Sequence, residues 1–271
     1  MNSTNIIYWN NITTPIEPSI LESYITFIKA NMTGLIPVYP EEIAKLKSYA
    51  NTHQISLGTL LSIRNQIKIQ LEIKRSKYVE QNKSKIIYIF ENLIKKPNLD
   101  LPDIMNFYAR IKYPVHAVLK IISGLDSFKN LDHNLIKKFY QIIKDINQIE
   151  HKSKILSEQF EHIVEKFISK QHISFRTEAD LRYDRTYNLT PDILFDQPVT
   201  ININGTNHQI RWLDAKNFVF MGPYMPHLYK KIISQAKKYN EVFGPGAFIF
   251  RYGVVDGIQI DGAYLLDGSQ L

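Results

Sequence analysis

The sequence predicts a mixed α/β (α+β) fold, in which an all-α N-terminal part precedes a mixed sheet flanked by helices. Between residues 40 and 170, apolar residues recur every three or four positions, as they do on one face of a helix. Strand-like apolar runs appear only after residue 172. The dipeptide Asn204-Gly205 separates two of these runs, and both residues accept the positive φ of a hairpin turn. We therefore predict two domains, a helical one over residues 1–150 and an α/β one over residues 151–271.

Start signals divide the N-terminal part into several helices. Residues 16–30 could form the first of them, and Pro40 opens the second. Ser56 has the hydroxyl of a typical N-cap for the third. Further helices are predicted over residues 101–111, 115–122, 135–146 and 155–168.

The helices predicted over residues 101–111 and 115–122 form a pair joined by a tight turn, and Pro114 suits the first position of the second helix. The helices that begin at Pro40 and after Ser56 form a similar pair beside a basic stretch. Such pairs resemble the helix-turn-helix of DNA-binding proteins. A helical hairpin in an ordinary bundle fits the same pattern, and both interpretations stay open.

Charge is distributed unevenly along the chain. The net charge is +7, and from residue 171 onward 10 Lys and Arg balance 10 Asp and Glu, so the surplus lies in residues 1–170. A basic half predicts contact with nucleic acid, and a solvated basic surface is the alternative. The absence of cysteine excludes disulfides, thiolate metal sites and cysteine catalysis.

No apolar run reaches the length of a membrane span, about 18 residues, and the N-terminus lacks the features of a signal peptide. We expect a soluble, intracellular protein that does not use a membrane; the sequence does not choose between nucleus and cytoplasm.

After residue 172 the predicted elements alternate between strands and one helix. The helix covers residues 224–243 and is ended by Gly244-Pro245-Gly246. The strands are predicted over residues 192–195, 199–203, 210–220, 247–252 and 258–266.

Three charged residues stand out in these strands. Asp192 follows a proline at the start of one strand, and Asp214 precedes Lys216 by two positions in another. Since side chains alternate along a strand, Asp214 and Lys216 share a face. The Asn204-Gly205 turn can bring Asp192 across from Asp214. The strand is otherwise apolar, and charges in such surroundings need a reason.

The pattern of Pro-Asp followed by Asp-x-Lys indicates a Mg²⁺-dependent phosphodiesterase site. Mg²⁺ takes one or two carboxylates together with waters and a phosphate oxygen, and it lowers the pKa of a bound water. We predict a nuclease in which Asp192, Asp214 and the carbonyl of Ala215 hold Mg²⁺ or Mn²⁺. The alternative is structural: Asp192 would start a turn, and Asp214 and Lys216 would form a salt bridge on a solvated sheet face.

A longer series of motifs surrounds these three residues. Its members are Ile173-Ser174-Phe175, Glu178, Leu181-Arg182, Thr190-Pro191-Asp192, Trp212-Leu213-Asp214-Ala215-Lys216, Gln235, Tyr239, Phe243-Gly244-Pro245-Gly246 and Tyr252-Gly253. In their order and spacing, residues 173–253 resemble the TPD-motif nucleases, the codanin-interacting nuclease family of the restriction-endonuclease-like (PD-(D/E)xK) superfamily. That family often has Glu where this chain has Asp214.

The resemblance implies a restriction-endonuclease-like core and a role for each matching residue. Asp192 and Asp214 would be metal ligands, and Lys216 would position the attacking water. Glu178 would be the upstream acid that supports the metal directly or through water; Glu161 or Glu165 could replace it. Second-shell or substrate-strand contacts are implied for Gln235 and Tyr239.

The expected substrate is nucleic acid, with DNA favoured over RNA, and the helical domain would bind the substrate backbone or a protein partner. Two alternatives come from other functional classes. One is a catalytically silent nuclease fold that serves as a DNA- or protein-binding module. The other is a transcription regulator that uses only the helix-turn-helix, which leaves the Asp-x-Lys motif without an explanation.

Overall fold

The computed structural model describes residues 6–9, 15–35, 38, 40–185 and 187–271. Helices precede a mixed sheet, as the sequence predicts. The helices are α1 Pro18–Asn31, α2 Pro40–Thr52, α3 Leu57–Ser76, α4 Lys83–Leu93, α5 Leu101–Ile111, α6 Val115–Ile122, α7 Asp126–Lys129, α8 His133–Ser169, α9 Glu178–Asp184 and α10 Pro226–Phe243. The strands are β1 Ile6–Trp9, β2 Phe175–Thr177, β3 Ile193–Ile203, β4 Thr206–Lys216, β5 Gly246–Phe250 and β6 Ala263–Asp267.

The chain divides into two compact units. The helical unit is Thr26–Ser153, and the sheet unit combines Met1–Ile25 with Lys154–Leu271. The sequence predicts a helical domain over residues 1–150, whereas β1 lies in the sheet, where it pairs in parallel with β3. No local pattern announces this pairing, because its partner lies almost two hundred residues further along the chain.

The core of the helical unit is built around aromatic rings. Phe90 of α4, Phe107 and Tyr108 of α5 and Phe139 of α8 are buried and meet edge to face. Such edge-to-face pairs add about 0.5–1.5 kcal/mol each beyond their buried area. These contacts join α4 and α5 to each other and to α8.

Helix α6 belongs to this core rather than to a free surface. Five of its eight residues are buried, and His116 and Lys120 are its exposed ones. A recognition helix needs a polar face that can enter a DNA groove, so this burial favours the helical-hairpin alternative for α5 and α6. Pro114 lies at the N-cap of α6, one position before the predicted one.

Helix α5 matches its prediction, whereas α8 is longer than predicted. Helix α5 has the predicted bounds, and Asp100 and Asp103 form a capping box at its start. The two helices predicted within residues 133–171 are one continuous helix, α8. No glycine or proline lies between them to interrupt the backbone hydrogen bonds.

Ser56 is the N-cap of α3, as predicted, and its hydroxyl accepts a hydrogen bond of 2.9 Å from the backbone N–H of Thr59. Ser56→Ala should lower the free energy of unfolding by about 1 kcal/mol, because that amide loses its acceptor. Urea unfolding of the variant measures the loss. Ser56→Asn, which keeps a capping oxygen, should stay near the wild type; equal losses in both variants would contradict a capping role.

The sheet is mixed, with strand order β1-β3-β4-β5-β6 and β2 paired to β3. β3 runs antiparallel to β4, while β4, β5 and β6 run parallel. The strands predicted over residues 192–195 and 199–203 are one strand, β3, with a register shift between Leu194 and Val199. β4 ends at Lys216, so the apolar residues that follow it lie in a buried loop instead of the predicted longer strand.

A helix covers each face of the sheet. On one face α8 packs Phe160 and Val164 against Leu213 and Ala215. On the other face α10 packs Tyr239 and other apolar residues against Trp212 and Phe248. Within the described part of the chain, no helix has the length and apolarity needed to cross a membrane.

Candidate metal and catalytic site

The β3–β4 hairpin brings together the residues that the sequence analysis singles out. Asn204 and Gly205 both have positive φ, 48° and 92°, as the predicted turn requires. Ile193 pairs with Leu213, so the register places Asp192 across from Asp214. The N–H of Ala215 donates a hydrogen bond of 2.6 Å to Oδ2 of Asp192, which ties the start of β3 to the end of β4.

Asp214 is a buried charge, with 3% of its surface exposed. Its Oδ2 accepts a hydrogen bond of 2.8 Å from Nε2 of Gln235 on α10. Its Oδ1 is shielded from solvent and forms an ion pair with Nζ of Lys216. The predicted shared face of Asp214 and Lys216 is therefore occupied by an ion pair between them. Burying a carboxylate in apolar surroundings is costly unless positive charge and hydrogen bonds compensate.

The electrostatics of the site reflect crowding of acidic groups. Burial and the neighbouring carboxylate of Asp214 raise the pKa of Asp192 to about 8. Burial alone would lower the pKa of Lys216, but Asp214, Asp192 and Glu161 outweigh it, and its pKa lies above the usual value. A lysine so placed is an ammonium ion at neutral pH, and an additional cation at the carboxylates would relieve their mutual repulsion.

Gln235 and Tyr239 extend the site onto α10. Nε2 of Gln235 donates to the hydroxyl of Tyr239 at 3.0 Å, and that hydroxyl donates to the carbonyl of Thr190 at 3.2 Å. Burial and Asp214 raise the pKa of Tyr239, so its hydroxyl keeps its proton and remains a donor. Both residues therefore lie next to the two aspartates, through hydrogen bonds to Asp214 and to the segment before Asp192.

Tyr239→Phe should lower the free energy of unfolding by about 1 kcal/mol, because the carbonyl of Thr190 loses its donor in a buried place. Thermal unfolding checks this, and Tyr183→Phe is the matched control, since that ring is 89% exposed. A loss of stability in Tyr239→Phe that is no larger than the loss in Tyr183→Phe would show that the Tyr239 hydroxyl has no structural role.

Glu178 lies beside the site at the first turn of α9. Its Oε1 accepts from Arg182 at 2.7 Å and from the Thr190 hydroxyl at 3.1 Å, and its backbone N–H donates to the carbonyl of Asp192 at 3.2 Å. The backbone bond holds Glu178 next to Asp192, and the two side-chain bonds fix the orientation of its carboxylate. β2 and α9, the two elements that position Glu178, are not predicted from the sequence.

Helix α8 supplies a second acid. Burial and the charges of Glu178 and Asp214 raise the pKa of Glu161, which also acts on Asp192 and Lys216. Glu165, the other alternative to Glu178, pairs instead with His162. The sequence left the upstream acid open between these residues; in the structure Glu161 lies within electrostatic reach of Asp214, and Glu178 is bonded to the backbone of Asp192.

Arg251 and Asn217 also contact the site, and the sequence did not predict a role for either residue. The backbone N–H of Arg251 donates to the carbonyl of Lys216 at 2.9 Å, and its Nη1 donates to Asn217 at 3.1 Å and to the carbonyl of Leu156 at 3.4 Å. These bonds hold the end of β4 against β5 and α8. A basic residue after a strand gives no sequence signal of such a role.

Asp192 and Asp214 are the candidate ligands for a divalent cation. Among the described residues, no group of three or more His, Asp or Glu side chains is arranged to hold a metal ion. Mg²⁺ commonly takes only one or two protein carboxylates. Asp192 and Asp214 supply two, and among the described residues Oδ1 of Asp214 contacts the Lys216 ammonium. The pair therefore fits such an ion, whereas a complete cage of protein ligands is absent from the described part of the chain.

Comparison with known proteins identifies a family but no activity. A family model described as "Protein of unknown function TPD sequence-motif" matches residues 128–268. An uncharacterized protein of Acanthamoeba polyphaga mimivirus is 31% identical over 273 residues, covering 98% of this chain and 96% of the viral protein. No solved structure matches.

Proposed function

The chain belongs to the family defined by the TPD sequence motif, and from the acidic site of its sheet unit we propose that it is a metal-dependent nuclease. The observation that carries the proposal is the meeting of Asp192, Asp214 and Lys216 at the ends of two paired strands. A solvated salt bridge, the structural alternative, does not account for burying Asp214 in an apolar sheet.

In this proposal Asp192 and Asp214 hold Mg²⁺ or Mn²⁺, with the carbonyl of Ala215 and the carboxylate of Glu178 or Glu161 completing the set directly or through water. When bound, such an ion supplies Lewis-acid chemistry, since it offsets charge on the phosphate and makes water more acidic.

The chain's own residues orient the groups of the site. The Lys216 ammonium directs the attacking water and offsets charge on the phosphate, as a preorganised positive charge. Gln235 fixes the carboxylate of Asp214 through its hydrogen bond to Oδ2, and Tyr239 fixes Gln235 in turn. Each of these contacts limits the rotation of a side chain that the reaction needs in one position.

The proposed substrate is nucleic acid, with DNA favoured, and the distribution of charge supports it. The helical unit, Thr26–Ser153, has 20 Lys and Arg against 11 Asp and Glu, a net charge of +9. The remaining residues have 13 Lys and Arg against 15 Asp and Glu, a net charge of −2. The helical unit is therefore the part that would attract a polyanion, while the acidic site lies in the sheet unit. The helical unit is also where a protein partner would bind.

The proposal is tested with Asp192→Ala on a panel of labelled single-stranded, double-stranded and branched DNA and RNA with Mg²⁺ or Mn²⁺. We expect the wild type to cleave at least one substrate and the variant to lose about a hundredfold or more in rate. Asp261→Ala removes an exposed carboxylate and should cleave like the wild type. Cleavage that survives in Asp192→Ala, or that needs no metal, would contradict the proposed metal-dependent nuclease activity.

A catalytically silent nuclease fold is the second candidate, and the lack of a three-acid group among the described residues favours it. Isothermal titration with Mn²⁺ separates the two candidates. The nuclease should bind the ion in the wild type and lose that binding in Asp192→Ala; a silent module should bind no ion in either protein.

A further inference from the structure

We propose that nucleic acid binds through a basic cluster formed by Lys74, Arg75, Lys77 and Lys112 of the helical unit. This inference rests on the proposed function, from which it takes nucleic acid as the ligand. It identifies the surface that would contact the backbone phosphates. Three members of the cluster end α3 or follow it directly, and Lys112 follows α5. The two segments are joined, because Nη1 of Arg75 donates a hydrogen bond of 2.8 Å to the carbonyl of Lys112.

Three lysines of the helical unit pair with acidic side chains, whereas the four side chains of the cluster have no acidic partner among the described residues. Lys68 pairs with Glu72, Lys96 with Asp103 and Lys129 with Asp126. In the described part of the chain, none of the four cluster residues takes part in an ion pair, and Lys74, Lys77 and Lys112 are exposed. Their charge is therefore available to a ligand.

Helix dipoles do not cancel this charge. The C-termini of α3 and α5 meet at the cluster, and each carries about half an elementary negative charge. Four cations outweigh the two ends and the exposed carboxylate of Glu80, which leaves a surplus of about two positive charges. A surplus of this size in a small area suits successive phosphates of a nucleic-acid backbone, each of which one Lys or Arg can neutralise.

An aromatic side chain adjoins the cations. Tyr78 follows Lys77 and is 48% exposed, and Ile73 on the last turns of α3 is 38% exposed. Exposed rings beside cations are the usual elements of a surface that holds both the backbone and an unstacked base. Because contacts to backbone phosphates carry no base information, we expect binding through the cluster to be independent of sequence.

The test is fluorescence anisotropy of a labelled DNA oligonucleotide with the intact protein, in EDTA and at a series of NaCl concentrations. The variant Lys74→Gln/Lys77→Gln/Lys112→Gln keeps the Arg75 hydrogen bond, which uses a backbone carbonyl. It should bind about tenfold more weakly at low salt, and the slope of log affinity against log salt should fall by about 2. Circular dichroism and thermal unfolding establish that the fold is retained.

The matched control is Lys29→Gln/Lys45→Gln/Lys47→Gln, which removes the same charge from exposed positions on α1 and α2. It should keep affinity and slope close to those of the wild type. Equal losses in both variants, or wild-type protein that does not bind at low salt, would overturn the inference. Metal-free binding makes the outcome independent of cleavage: a protein that binds through the cluster but never cuts contradicts only the nuclease proposal. A protein that cuts but binds equally well without the cluster contradicts only this inference.

Discussion

Lys216→Ala is expected to reduce metal-dependent cleavage by about a hundredfold or more, which is the loss usually seen when a preorganised group at a reacting centre is removed. In the structure its ammonium forms an ion pair with Oδ1 of Asp214 and lies 5.6 Å from the ring centre of Phe248. The variant therefore removes the positive charge that contacts Oδ1 of Asp214, and it leaves both carboxylates in place.

Because the carboxylates remain, Lys216→Ala should still bind Mn²⁺ in isothermal titration. Loss of cleavage with retained binding separates the role of Lys216 from that of Asp192, whose removal should abolish both. Lys237→Ala is the control, since that lysine lies on α10 with its side chain 77% exposed. If Lys216→Ala cleaves as fast as Lys237→Ala, the lysine has no part in the reaction.

The second large effect concerns stability in the absence of metal. Asp192→Asn should raise the free energy of unfolding by about 2 kcal/mol near pH 8 in EDTA, because it removes a crowded, buried carboxylate. The asparagine side chain can still accept the hydrogen bond that the N–H of Ala215 donates to Asp192. We therefore expect a variant that is inactive but more stable, as is common when a strained functional group is removed.

The sign of the pH dependence follows from the raised pKa. Asp192 titrates near pH 8 in the folded protein and near 3.9 when unfolded. The folded state thus holds a proton that the unfolded state releases, and stability falls as the pH rises from about 4 to about 8. Thermal unfolding over this range should show a steeper decline in the wild type than in Asp192→Asn. Parallel profiles would contradict a raised pKa at Asp192.

Added Mn²⁺ provides the complementary measurement. An ion that binds only the folded state raises the unfolding temperature, so the wild type should recover stability in Mn²⁺ while Asp192→Asn should not respond. A response of equal size in both proteins would place the ion elsewhere.

Sequence and structure agree best where the determinants are local. Asn204-Gly205 requires a turn with two positive φ values, and the alternation of side chains then aligns Asp214 with Lys216. The capping hydroxyl of Ser56 and the bounds of α5 likewise depend on residues within a few positions.

Prediction fails where the partner is distant along the chain. β1 joins the sheet from the N-terminus, and β2 with α9 carries Glu178 to the carbonyl of Asp192. Glu161 reaches the acidic site because α8 packs Phe160 and Val164 on the sheet. Helical spacing predicts which side of α8 is buried. The orientation of α8 that brings Glu161 to the site, however, depends on its contacts with strands that come later in the sequence.

The sequence by itself determined a helical part before a mixed sheet, the hairpin and the two aspartates with their lysine, since turn chemistry and side-chain period act over a few residues. Only the tertiary structure decided which acids join Asp192 and Asp214, that Asp214 is buried against Gln235, and that α6 lies in a core. Those outcomes depend on how distant elements pack, because burial and electrostatic crowding are properties of all the groups around a residue and not of its neighbours in sequence.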